Sequence, residues 1–232
     1  MSLNVNEIFY SIQGESSYAG RPCVFIRLTG CNLRCSYCDT RYAYYQGEKL
    51  DIHRIVEKVA SYKCPLVEVT GGEPLLQRET PYLIHQLLID GYEVLLETNG
   101  SQDISSVDKR CVRILDIKCP SSGESEKNDL ENLKRLSDKD ELKFVIGNLE
   151  DYEYAKEILK LLELSPSGVF SVHFSPSFGK MDPKKLANWI RRYISPWIWI
   201  YGFGSSTMEN LPSEKGYGAA QSIILTPKHK NL

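Results

Sequence analysis

No run in this chain approaches the roughly eighteen uninterrupted apolar residues that a membrane-spanning helix needs. Nor is there an excess of charge of either sign. The 28 basic and 30 acidic side chains leave a net charge of −2, which gives no electrostatic reason to expect a nucleic acid partner and favours a small molecule. The opening residues, Met-Ser-Leu-Asn-Val-Asn-Glu, hold no basic stretch ahead of an apolar run, so the expectation is a cytoplasmic chain without a secretory leader. A framework of paired cysteines is missing too. Seven is an odd number, and three of the seven crowd into one loop, which argues against a secreted disulfide scaffold. Cys23, Cys64, Cys111 and Cys119 are expected to be small buried apolar residues, with Cys119 singled out because it follows a strand end at Lys118.

What is present first is enough chain for one α/β domain: 232 residues, 42% hydrophobic and 25% charged. Strand patterns at 4–11 and 24–28 lead into the cysteine loop. After it, helical and strand periods alternate: helices at 52–62, 80–90, 129–136, 149–162 and 183–193, and strands at 66–69, 93–97, 112–117, 141–146 and 169–174. A polar stretch at 121–128 reads as a loop. Such alternation builds right-handed βαβ units and predicts an open, partial (βα)6 barrel with a mostly parallel sheet, its ligands gathered at the C-terminal strand ends. Polar clusters stand where strands stop, at Thr70 to Glu73, Glu97 to Asn99, Asp116 and Lys118, and Ser175-Pro176.

Cys31, Cys35 and Cys38 carry the chemistry. Three thiolates at this spacing can hold three irons of a [4Fe–4S] cubane, and with no fourth thiolate one iron keeps an open position. A zinc ribbon would want a second pair of cysteines roughly 15–20 residues on, whereas the next cysteine, Cys64, is alone. Further along, a β-branched strand at 67–70 runs into Gly71-Gly72-Glu73-Pro74, where the absence of a Cβ lets backbone approach a ligand.

Jointly the cysteine loop and the Gly-Gly-Glu-Pro strand end resemble the radical S-adenosylmethionine (SAM) superfamily. That resemblance implies SAM chelated to the open iron and cleaved reductively to a 5′-deoxyadenosyl radical, with the protein supplying binding, orientation and exclusion of water. A more selective series, Glu7 to Ser16, Gly20-Arg21-Pro22, Phe25 to Cys31 and Cys38-Asp39-Thr40, resembles the 7-carboxy-7-deazaguanine synthase family, which contracts 6-carboxy-5,6,7,8-tetrahydropterin with loss of ammonia on the way to queuosine and other 7-deazapurines. Carried over by position, Ile12, Gln13, Gly14, Arg27 and Thr70 would meet the pterin, with Arg27 on its carboxylate, since a guanidinium fork suits a planar carboxylate. Thr40 would hold a Mg2+ ion. Tyr37, Cys38, Asp39, Gly72, Asp116, Ile117, Lys118, His173, Phe174, Ser175 and Pro176 would surround SAM; Glu97 and Asn99 are added by the strand-end pattern alone. The resemblance also implies a homodimer and an external electron donor such as flavodoxin or ferredoxin.

Two other readings fit parts of the pattern. An activase that installs a glycyl radical on a partner protein would share the small core but lack the series at 12–15 with Arg27. A passive Fe–S module for sensing or electron transfer would need neither Gly-Gly-Glu-Pro nor ligand groups at several strand ends. The likeness fades beyond about Tyr193. From Trp197 the chain departs from the family's ending, yet permitted codons read from the third base of the Trp197 codon give Asp-Leu-Asp-Leu-Arg-Phe-Arg-Leu-Gln, close to it. The expectation is a core domain over 1–196 and an atypical tail over 197–232 in a shifted reading frame, poorly ordered over 211–232 and leaving the pterin site without its lid.

Overall fold

The computed structural model describes residues 1–163, 171–193, 198–203 and 223–227. In chain order the strands are β1 (Ser2–Ile12), β2 (Pro22–Leu28), β3 (Glu48–Asp51), β4 (Leu66–Gly71), β5 (Glu93–Thr98), β6 (Val112–Ile117), β7 (Glu141–Ile146), β8 (Ser171–Pro176), β9 (Ile198–Phe203) and β10 (Ile223–Pro227). The α-helices are α1 (Ile52–Ser61), α2 (Thr80–Ile89), α3 (Leu149–Glu163) and α4 (Pro183–Tyr193). One sheet runs β3-β1-β2-β4-β5-β6-β7-β8-β10-β9. From β2 through β8 the neighbours pair in parallel, six strands wide, while β1 and β10 add antiparallel flanks. The order has two ends and does not close, so the open (βα)6 barrel is the architecture found.

Strand alternation sorts the side chains. On one set of positions Val24, Ile26, Leu28, Val67, Val69, Leu115, Ile117, Leu142, Phe144, Ile146 and Phe174 are buried in two apolar clusters. The first takes Ile52, Ile55 and Val59 of α1 and Leu83, Ile84 and Leu87 of α2; the second takes Ala155 and Ile158 of α3 and Leu186 and Ile190 of α4. The intervening positions, including Arg27, Glu68, Thr70, Glu97, Asp116, Lys143 and Ser175, face a common cavity on the other side of the sheet.

Three elements differ from the sequence reading. Residues 130–135 form a 3-10 helix rather than an α-helix. Buried Asn132 there turns its side chain back to Gly100 O and Gln102 O (3.2 and 2.8 Å) and accepts from the Ile104 N–H (3.2 Å), a competing set of bonds that fixes a tight turn. The strand expected at 169–174 is Ser171–Pro176, ending at the polar pair itself. β3 is an addition: four residues with none buried, whose place comes from pairing with β1. The four scattered cysteines are buried as expected. In the tail, Trp197 and most of 211–232 lie outside the described residues; the backbone at β10 pairs antiparallel with β8 and β9. Among the described residues no helix is long and apolar enough to cross a membrane.

Candidate active site

A cavity of about 1060 Å3 opens inside the sheet, walled by the inward positions of β2, β4, β5, β6, β7 and β8, by the end of β1 with loop 13–15 and by the cysteine loop. Cys31, Cys35 and Cys38 all line it. The loop that carries them is braced on every side. Within it, the Cys38 N–H reaches Cys35 O (3.1 Å), and Arg34 Nη1 donates to Cys31 O and Leu33 O (2.8 and 2.7 Å). From outside, Ser36 bonds through its N–H to Ser122 O (2.9 Å) and through its hydroxyl to Ser121 O (2.8 Å).

The Gly-Gly turn is packed against the start of this same loop. Gly72 N–H donates to Leu28 O (3.2 Å) and Glu73 N–H to Gly30 O (2.7 Å). A Cβ on Gly72 would stand 2.1 Å from Gly30 O and 2.8 Å from the Cys31 Cβ, so only glycine allows the contact. Glu73 itself is fully buried, and its carboxylate accepts from Leu75 N–H (2.9 Å), Asn99 N–H (2.7 Å) and the Thr98 hydroxyl (2.9 Å), locking the end of β4 to the end of β5.

The donor chemistry suits an iron–sulfur cluster. Three soft thiols face one cavity, burial raises the Cys31 thiol and pushes Cys35 up to about 11, and a thiol gives up its proton on taking a metal. Asn99 Nδ2 lies 3.8 Å from Cys31 Sγ. The cavity also contains two orphaned polar atoms that a cofactor could satisfy: Tyr37 OH and Asp116 Oδ1 are buried without a hydrogen-bond partner among the described residues. Burial also holds the Tyr37 hydroxyl far above its ordinary range.

Much of the remaining wall is charged. Arg27, half-buried on β2 and registered against Thr70, gives its Nε to Glu7 Oε1 (2.9 Å), which also accepts from Tyr42 OH (3.0 Å). Its terminal nitrogens have no hydrogen-bond partner among the described residues. Lys143 on β7 sits among three carboxylates, donating to Glu15 and to Glu97 (2.7 Å), with Asp116 at 3.9 Å. Burial alone would lower its pKa, but these three acids outweigh burial and raise it, so the lysine stays charged. Lys118 pairs with Asp116 at 2.8 Å.

The cavity gathers most of the residues expected from sequence: Ile12, Gln13, Gly14, Arg27, Tyr37, Cys38, Asp39, Thr40, Thr70, Gly72, Glu97, Asn99, Asp116, Lys118, Ser175 and Pro176. Ile117 and Phe174 point to the helix side and are buried in apolar core, which leaves only their backbone for a ligand. His173 is buried deeper than Ser175, its Nε2 2.8 Å from Glu141 Oε2. Gln13 is tied on several sides: its N–H and C=O bond Arg21 O and Gly20 N, its amide oxygen accepts from Glu15 N–H (3.0 Å), and its amide nitrogen reaches out of the loop to Glu68 on β4. Sequence reasoning missed Glu15, Glu68 and Lys143 as wall residues. The signal was there in the even spacing of Glu68 with Thr70 and of Lys143 with Val145 on their strands.

Known proteins resemble this chain in sequence and in fold. Residues 25–117 match the radical SAM superfamily. The chain is 45% identical over 204 residues to the 7-carboxy-7-deazaguanine synthase of Koribacter versatilis, covering 81% of this chain and 89% of that protein. It is likewise 45% identical over 193 residues to the 7-carboxy-7-deazaguanine synthase of Chlorobaculum tepidum, covering 82% and 87%. Among solved structures, QueE from Escherichia coli superposes with a TM-score of 0.69 at 22% identity, over 83% of this chain and 91% of that one, a likeness of fold.

Proposed function

This chain belongs to the 7-carboxy-7-deazaguanine synthase family of radical SAM enzymes, and we propose that its cavity converts 6-carboxy-5,6,7,8-tetrahydropterin to 7-carboxy-7-deazaguanine with loss of ammonia. The observation that carries the proposal is a single cavity with three clustered thiols on one wall and a guanidinium with free terminal nitrogens on another. Cys31, Cys35 and Cys38 would hold the [4Fe–4S] cluster, beside Gly72, Tyr37 and Asp116 as the SAM-facing groups. Bound together, cluster and SAM supply the radical that removes a hydrogen atom from the substrate.

The remaining work falls to the chain's own side chains. Arg27, fixed by Glu7 through Nε, offers Nη1 and Nη2 to the pterin carboxylate, next to the Thr70 hydroxyl. Loop 13–15, held to the strands through Gln13 and Glu15, walls one side of the cavity. Thr40 contributes one oxygen donor for Mg2+. Substrate and water oxygens would complete its shell. The family likeness supports an external donor of flavodoxin or ferredoxin type and a homodimer. It also favours this activity over a glycyl-radical activase, as does the placement of the 12–15 series and Arg27 in the same wall.

The test is anaerobic reconstitution followed by assay on 6-carboxytetrahydropterin with reductant and SAM. The expected result is 7-carboxy-7-deazaguanine and ammonia, formed faster with Mg2+ present, and a Thr40→Ala enzyme that no longer responds to the ion. SAM cleavage without either product would end the proposal. For Arg27→Lys, the expected change is a substrate KM higher by roughly ten- to a hundredfold, the loss of a charge-assisted fork, with the SAM dissociation constant unchanged. Equal losses for both ligands would remove Arg27 from the carboxylate.

A further inference from the structure

Four carboxyl groups look inward from the strands and from loop 13–15: Glu15, Glu68, Glu97 and Asp116. Three of them have a lysine. Glu15 and Glu97 share Lys143, and Asp116 pairs with Lys118. Glu68 has no cation within ion-pair distance among the described residues, although it is only 3% exposed. Its Oε2 receives the Gln13 amide, and its Oε1 has no hydrogen-bond partner among the described residues. A buried carboxyl left in this state is costly, and the missing donors have room to come from a ligand because Glu68 lines the cavity.

The register states which part of a ligand arrives there. Arg27 stands opposite Thr70, and Glu68 stands opposite Phe25, one same-face step earlier on β4, which is roughly 6.6 Å further from the strand C-termini. Phe25 also lines the cavity and gives that stretch a flat apolar surface. A planar bicyclic acid anchored by its carboxylate at Arg27 would extend over Phe25 and bring its far edge to Glu68. The far edge of a pterin carries two parallel donors, the ring N3–H and the 2-amino group, which match the two oxygens of a carboxyl.

We propose that Glu68 is a substrate-binding residue that reads the 2-amino-4-oxopyrimidine edge, resting on the pterin reading of this cavity. Burial first, and then the charges of Glu97 and Glu15, push the Glu68 carboxyl well above its ordinary range, a strain that two donated hydrogen bonds relieve. Gln13, its amide oxygen held by the Glu15 N–H and its amide nitrogen on Glu68, is the brace that aims Glu68.

The experiment measures equilibrium binding of 6-carboxypterin and of 6-carboxylumazine, which has a C2 carbonyl in place of the amine, to enzyme loaded with cluster and SAM. Wild type is expected to prefer the pterin by roughly tenfold or more, since an analogue lacking the donor leaves a buried acceptor unpaired. Glu68→Gln, nearly isosteric, is expected to erase that preference while cluster content and SAM binding stay as in wild type. A wild-type enzyme that does not discriminate overturns the assignment without any variant. A Glu68→Gln enzyme that keeps the preference, or that weakens both ligands equally, also overturns it, the latter showing that Glu68 serves only to hold Gln13. If wild type makes product yet fails these comparisons, this inference alone is lost; if it neither binds the pterin nor makes product, the pterin reading falls with it.

Discussion

Replacing Cys31, Cys35 or Cys38 by Ala is expected to abolish SAM cleavage, with 5′-deoxyadenosine formation falling to background in each single variant. The three thiols come from one short loop and face one cavity, and no fourth cysteine is available to substitute: Cys23, Cys64, Cys111 and Cys119 are all buried, and none lines that cavity. Iron and sulfide analysis with absorbance after anaerobic reconstitution gives the direct readout. Cys23→Ala and Cys111→Ala provide the contrast and should keep wild-type iron content. One loop variant with full iron and full cleavage would break the assignment of ligands.

Gly72→Ala is expected to have an effect nearly as large, for a different reason. The added methyl would sit 2.1 Å from Gly30 O, 2.6 Å from Gly30 C and 2.8 Å from the Cys31 Cβ. All three atoms belong to the entry of the cysteine loop, two of them to backbone, so no side-chain rotation relieves the overlap. The loop must move away from β4, breaking the bonds from Gly72 and Glu73 to Leu28 and Gly30. The expected outcome is a several-fold drop in cluster content together with SAM cleavage, while the far-ultraviolet circular dichroism stays that of wild type. An alanine variant that loads cluster normally and loses only SAM affinity would show that the glycine serves the ligand and not the loop.

How much of this was legible in the sequence follows from how local each signal is. The cysteine spacing, the Gly-Gly turn and the alternating strands each occupy a few consecutive residues, so they could be read directly, and the parallel barrel followed from their order. Arg27 was legible through its neighbours in the family series. Lys143 was not, because its partners lie on loop 13–15, on β5 and on β6 and meet only after the sheet forms. The same holds for the Glu7 carboxylate that turns Arg27, set by the pairing of β1 with β2. β3 escaped notice since an edge strand without a buried residue has no apolar period to display. The 3-10 turn at Leu130–Arg135 was hidden by helical spacing that a single buried Asn132 overrides.

The lysine between three acids also limits the routes by which relatives of this chain can diverge. Losing Lys143 alone would leave Glu15 and Glu97 without their shared cation, with Lys118, already paired with Asp116, as the nearest compensation. A chain that loses this lysine is therefore expected to lose carboxylates from the same wall with it.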